Sequence, residues 1–248
     1  INCVAYQNGS KLGDIPAADI SEYVTRPECF VWVALFEPTE DEIDEMAKEF
    51  DLHPLAVEDA HKGHQRAKIE EYDDSLFVVL HTLDPGSDAA NAELLDGEVA
   101  IFAGRNYILS VRHRTQKGFN DVRARCEREP ELLRHGSGFV LYALMDAIVD
   151  RYFPILDARE SELEQIEENI FVRNTARSNI ESLYALKQKL MLLTHAVDPL
   201  MEATGKLYGG RVPPVCAGMG EYFRDVYDHL HRIHATIDGI RDMLTTAI

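Results

Sequence analysis

Up to Gln116 the apolar positions come in short dense runs; beyond it they fall at helical spacing. Runs rich in Val, Ile, Phe, Leu and Tyr predict strands over Cys3–Gln7, Phe30–Phe36, Ser75–Leu83, Gly97–Ala103 and Tyr107–Arg112. Between them, Glu40–Phe50 and Pro54–His61 carry a helical rhythm, with Pro54 in the first turn, where its missing N–H costs nothing. Gly104-Arg105-Asn106 reads as a three-residue hairpin loop. A layered α/β unit with a mixed sheet accounts for this part.

The second part predicts short helices and then three long ones, near Ser137–Val172, Ala176–Leu207 and Met219–Ile248. Leu183, Leu186, Leu190, Leu193, Val197 and Leu200 alternate gaps of three and four, as do Val226, Leu230, Ile233, Ile237, Ile240 and Leu244. These are bundle or coiled-coil seams. Helices of this length span roughly 45 to 55 Å, which predicts an elongated stalk. Pro154 and Pro199 are expected to kink these helices without ending them, because the apolar rhythm resumes after each. The glycines and prolines of Tyr208–Gly220 mark the return between the last two helices. The expected division is an α/β regulatory domain over 1–136 and a long-helix region over 137–248.

The chain has 248 residues, with hydrophobic residues at 46% and charged ones at 27%, an ordinary globular composition. Acids outnumber bases 43 to 25, and a formal charge of -18 argues against nucleic acid or anionic lipid as partner and favours cations. Cys3, Cys29, Cys126 and Cys216 form no Cys-x-x-Cys pair and read as packing residues in a reducing compartment. No window holds the roughly 18 consecutive apolar residues of a membrane span, so the chain as given is expected to be soluble. It begins at Ile1, and its last apolar seam is still in register at Leu244 with no stop signal after it, so a continuation is expected.

Candidate chemistry gathers in two acidic clusters, Glu58-Asp59 and Asp225-Val226-Tyr227-Asp228. Magnesium takes oxygen ligands and keeps much of its water, so one or two carboxylates suffice to hold it. Asp225 and Asp228 share a helical face, whereas Glu58 and Asp59 diverge and suit two neighbouring ions, or one ion and one helix cap. The acid run Asp157, Glu160, Glu162, Glu164, Glu167 and Glu168 is either a solvated helix face or a sink that concentrates hydrated cations.

Leu52-His53-Pro54-Leu55-Ala56-Val57-Glu58-Asp59, Gln65-Arg66-Ala67-Lys68-Ile69-Glu70-Glu71-Tyr72 and Phe223-Arg224-Asp225-Val226-Tyr227-Asp228-His229 resemble the cytoplasmic domain of the CorA family of magnesium/cobalt transport channels. The resemblance covers nearly the whole chain; Ala67 departs from the proline common in the family, in a loop away from the metal. It implies a divalent-cation-sensing and gating module, not an enzyme, on the cytoplasmic side of the cell membrane. It also implies a homopentamer anchored through membrane segments that follow this chain. Regulatory Mg2+, with Co2+ or Zn2+ as alternatives, would sit between subunits, on Asp59 and Asp225 for one ion, with Glu58 and Asp146 contributing to a second.

Two other readings stay open. His61-x-x-His64 and His229, His231 and His234 would suit zinc, nickel or cobalt, although no His-Glu-x-x-His motif or cysteine joins them, and a zinc-transporting branch of the same superfamily has this architecture. A metal-dependent hydrolase could use the same carboxylates, but the chain has no His-Asp dipeptide, nucleophile elbow or phosphate-cradling glycine loop.

Overall fold

The computed structural model describes residues 1–85, 94–115, 117–170, 176–209 and 213–247. The strands β1 (Asn2–Gln7), β2 (Ser10–Asp14), β3 (Cys29–Phe36), β4 (Lys68–Tyr72), β5 (Ser75–Pro85), β6 (Leu94–Ala103) and β7 (Tyr107–His113) form one sheet in the order β2-β1-β3-β7-β6-β5-β4. Only β3 and β7 run parallel. The other neighbours are antiparallel, so the sheet is mixed, as expected.

Side chains alternate between the two faces of a strand, and both faces here are apolar. Val31, Val33, Phe77, Val79, Phe102 and Leu109 point to one side, where they pack with α1 (Ile20–Val24), α2 (Glu40–Glu49) and α3 (Pro54–Lys62). Val4, Trp32, Val78, Leu80, Ile101 and Ile108 point to the other, into a core built with the helices after residue 119. Strands buried on both faces read as continuous apolar runs, which is why β3, β5, β6 and β7 were visible in the sequence. β2 and β4 were not: Ser10–Asp14 and Lys68–Tyr72 are short, polar edge strands whose conformation comes from pairing with one neighbour.

The short helices are fixed locally. Thr39 caps α2 in a capping box, its hydroxyl accepting from the Glu42 amide at 3.3 Å while the Glu42 carboxylate accepts from the Thr39 amide at 2.8 Å. In α3, Pro54 occupies the first turn and His53 accepts from the Leu55 amide at 3.3 Å while stacking on Tyr72 at 4.1 Å.

Beyond α4 (Asn120–Glu127) and α5 (Pro130–Leu133), the first long helix expected from the sequence is two helices, α6 (Ser137–Asp150) and α7 (Tyr152–Ile170), separated at Arg151. Pro154 therefore lies in the first turn of α7 instead of kinking a continuous helix, and Val172 lies outside the described residues. A proline at that position removes only an amide that has no partner within the helix anyway. Pro199 does sit inside α8 (Ala176–Tyr208), which continues past it to pack along α9 (Gly220–Ala247). The seam residues Leu183 to Leu200 and Val226 to Leu244 are buried in the same apolar cluster as the sheet face. No helix among the described residues is long and apolar enough to cross a membrane.

Candidate metal centre

α6 is buried on nearly every side, which is why its sequence showed almost no polar face. Near its C-terminal end Asp146 is 5% exposed, and Arg125 reaches over from α4 and donates to it at 2.9 Å. A buried carboxylate needs such a partner, since desolvation of a lone charge costs several kcal/mol.

α9 crosses α6 with Phe223 and Val226 driven into the core, and Phe223 meets the Tyr142 ring edge-on at 6.4 Å. That seam fixes the rotation of α9 about its axis, so Asp225 and His229, one turn apart, face the end of α6. Ligand atoms of Asp146, Asp225 and His229 all lie within 4.8 Å of one another. The partner of Asp225 is thus His229 and not Asp228, which is exposed and stands outside the group. Positions three and four residues on are equally close along a helix, and only the location of Asp146 decides between them.

Electrostatic crowding marks the same spot. Burial and the charge of Asp146 hold the Asp150 carboxyl above its usual range, with His229 and Arg125 pulling the other way. Burial, then Asp146, pushes the Tyr142 hydroxyl up to about 12. His229 Nδ1 is buried without a hydrogen-bond partner, 3.6 Å from Asp150 and on the ring whose Nε2 is 3.9 Å from Asp225. An unsatisfied imidazole nitrogen beside three carboxylates, with one arginine to balance them, is a donor set that fits a divalent cation or its bound water.

Asp150 permits a direct check of this crowding. Its pKa is raised on folding, so the native state binds a proton where the unfolded chain has lost it, and stability falls as pH rises through that window. Asp150→Asn should therefore melt at a higher temperature than the parent at pH 7 in the absence of divalent metal. The difference should shrink toward zero near pH 3, below the ordinary value of 3.8, where Asp150 is mostly protonated in the unfolded chain as well. Thermal melts at the two pH values measure this.

The other pair of acids lies across the sheet. Glu58 and Asp59 sit on α3, which covers the opposite face from α6 and α9, and neither joins Asp146 and Asp225 within one chain. Asp59 accepts from Lys68 on β4 at 2.7 Å, Lys68 also reaches Glu70 at 2.7 Å, and Tyr72 donates to Glu70 at 3.0 Å. Burial alone would lower the Lys68 ammonium, but its bonds to the two carboxylates outweigh that and hold it above its ordinary value. Glu58 pairs with Lys62 one turn on, at an exposed position worth little energy.

The remaining candidates are separate. His234 lies between Asp198 at 2.8 Å and Asp238 at 3.3 Å, His61 meets Asp44 at 3.0 Å, and His64 lies 3.3 Å from Arg114. In the acid run, Asp157, Glu160, Glu164, Glu167 and Glu168 are exposed, while Glu162 is held by Lys189 at 2.8 Å. Arg125 escaped the sequence reading, and His229 entered it only among the histidines suited to softer metals, not as the partner of Asp225 and Asp146. His229 had a faint signal in its spacing of four from Asp225; Arg125 had none, because its partner is 21 residues away.

The CorA-like Mg2+ transporter protein family matches residues 27–247. The chain belongs to this family. Among curated CorA-like and related proteins, it is 30% identical over 224 residues to the putative metal ion transporter YfjQ of Bacillus subtilis, covering 90% of this chain and 68% of that protein. It is also 30% identical over 206 residues to the cobalt/magnesium transport protein CorA of Thermotoga maritima, covering 83% of this chain and 58% of the relative. The CorA-like chain thus spans about three fifths to two thirds of these relatives' length. Its fold is shared by the soluble domain of CorA from Methanocaldococcus jannaschii, with a TM-score of 0.74, 18% identity, and coverage of 98% of this chain and 94% of that one. The ZntB cytoplasmic domain from Vibrio parahaemolyticus is also similar, at a TM-score of 0.77, 13% identity, and coverage of 99% and 93%.

Proposed function

We propose that this chain is the cytoplasmic cation-sensing and gating module of a CorA-like Mg2+/Co2+ transport channel, organised as an α/β regulatory domain (1–136) and a long-helix region (137–248). In this reading, carboxylates of adjacent subunits share regulatory magnesium in a homopentamer. Asp59 of one copy and Asp225 of the next would hold one ion, and Glu58 and Asp146 would contribute to a second. The observation that carries it is the separation of the acids: Glu58 and Asp59 lie on one side of the sheet and Asp146 and Asp225 on the other, so neither half can close on the other within a chain.

The physics is mutual repulsion relieved by a dication. Two carboxylates about 8 Å apart at an effective dielectric near 20 repel by roughly 2 kcal/mol, and each interface of a ring repeats the term. A bound ion reverses its sign and favours the closed, symmetric arrangement; its loss lets subunits separate, which gives negative feedback on uptake. Lys68 supplies the opposing charge at Asp59 in the isolated chain, so a cation there works against an ammonium already in place.

Calorimetric titration of magnesium into the parent and into Asp59→Asn/Asp225→Asn tests the assignment. At least tenfold weaker binding is expected for the double variant, about 1.4 kcal/mol. Equal binding refutes the reading.

A zinc-selective reading rests on one residue, the buried unpartnered Nδ1 of His229. If it holds, His229→Gln should weaken zinc binding far more than magnesium binding; a proportionate loss of both favours magnesium.

A further inference from the structure

A cavity of about 700 Å³ opens between α4, the junction of α6 and α7, and the ends of β5 and β6. That is the size of sites that enclose small organic ligands. Its wall is apolar at Val122, Pro154, Ile155 and Ala158, but its charged groups are unusual for a chain of net charge -18. Arg151, Arg159 and Lys117 line it, and half-buried Arg151 and buried Arg159 each carry a buried nitrogen without a hydrogen bond.

Arg159 is 8% exposed and its Nε and Nη1 lack hydrogen-bond partners. Its nearest acid, Glu162, lies 3.0 Å from Nη1, but Lys189 already donates to both Glu162 oxygens, at 2.8 and 3.1 Å. Arg151 stacks on Phe119 at 4.7 Å and donates through Nη2 to the Gly118 carbonyl at 2.9 Å, leaving Nη1 buried and unsatisfied. Burial pushes the Arg151 guanidinium below its ordinary value. Leaving a buried charged donor unmet is costly, so such atoms mark places where a ligand completes the pairing. Arg125 also lines the cavity, but its guanidinium is committed to Asp146.

We propose that this cavity binds a small organic phosphate, its phosphate on the Arg159 guanidinium and its apolar body against Val122, Pro154 and Ile155. Arginine suits this role because its planar fork matches phosphate oxygens. Asp84, Asp121 and Asp150 line the same cavity and set a limit on charge. A polyphosphate would meet three carboxylates, so a monophosphate fits best. Arg151 lies just before α7 and Arg159 eight residues on, about 12 Å along the axis, which allows the phosphate one end and the body the stretch between.

The test is calorimetric titration of the full chain with AMP, with adenosine and ATP as comparators, all without divalent metal. AMP should bind at least tenfold more tightly than adenosine and more tightly than ATP. Arg159→Met, which keeps the aliphatic stem, should weaken AMP at least tenfold and leave adenosine unchanged. Arg151→Gln and a circular-dichroism melt of each variant guard against misfolding. Absence of AMP binding up to 5 mM, equal affinity for adenosine, or full AMP affinity in both folded variants overturns the proposal. Because no metal is present, these outcomes stand apart from the fate of the magnesium assignment.

Discussion

Phe223→Ala is expected to lower the unfolding free energy by about 3 to 5 kcal/mol, the usual cost of emptying a buried phenylalanine site. Phe223 is fully buried, and it meets Tyr142 of α6 where the sheet-facing core and the seam of α9 join. The surrounding elements are the buried helix α6 and the turn Cys216–Met219, which accept little collapse, so the void remains and its cost adds to the lost transfer energy. A functional loss follows from the same packing. Phe223 fixes the rotation that aims Asp225 and His229 at Asp146, so magnesium should raise the variant's melting temperature less than it raises the parent's. Chemical denaturation and melts with and without magnesium measure both.

Gly138→Val should destabilise comparably, by about 3 kcal/mol, at the upper end of what overpacking costs. A Cβ at Gly138 would lie 2.2 Å from the Val215 carbonyl oxygen and 3.3 Å from its carbon. Both are backbone atoms of the segment before α9, and they cannot rotate aside as a side chain does. Replacing glycine in a helix normally gains up to about 1 kcal/mol, and here that gain is far smaller than the clash. The close approach lets α6 sit under the Pro214–Cys216 turn, which sets where α9 begins. A denaturation midpoint equal to the parent's would show that the turn moves freely and does not hold α9.

The long seams and the inner strands were legible because each is a local pattern. The Leu183 to Leu200 and Val226 to Leu244 rhythms name the buried stripe of α8 and α9 whatever they pack against. The split between α6 and α7 was hidden, because α6 is buried all round and a uniformly apolar stretch carries no phase to show a break. β2 and β4 were hidden for the opposite reason: their sequences are polar, and neighbouring strands alone hold them extended.

The candidate centre divides in the same way. The sequence by itself determined the inner strands, the long helical seams, the acidic balance and the clusters Glu58-Asp59 and Asp225-Asp228, because composition, periodicity and spacing are properties of the chain alone, while Asp146 came only from the family resemblance. Only the tertiary structure decided that Asp146, Asp225 and His229 converge, with Arg125 bound to Asp146, and that Glu58 and Asp59 stand across the sheet. The reason is physical: which side chains converge depends on how α4, α6 and α9 rotate to bury their apolar faces, a non-local choice that no window of sequence contains.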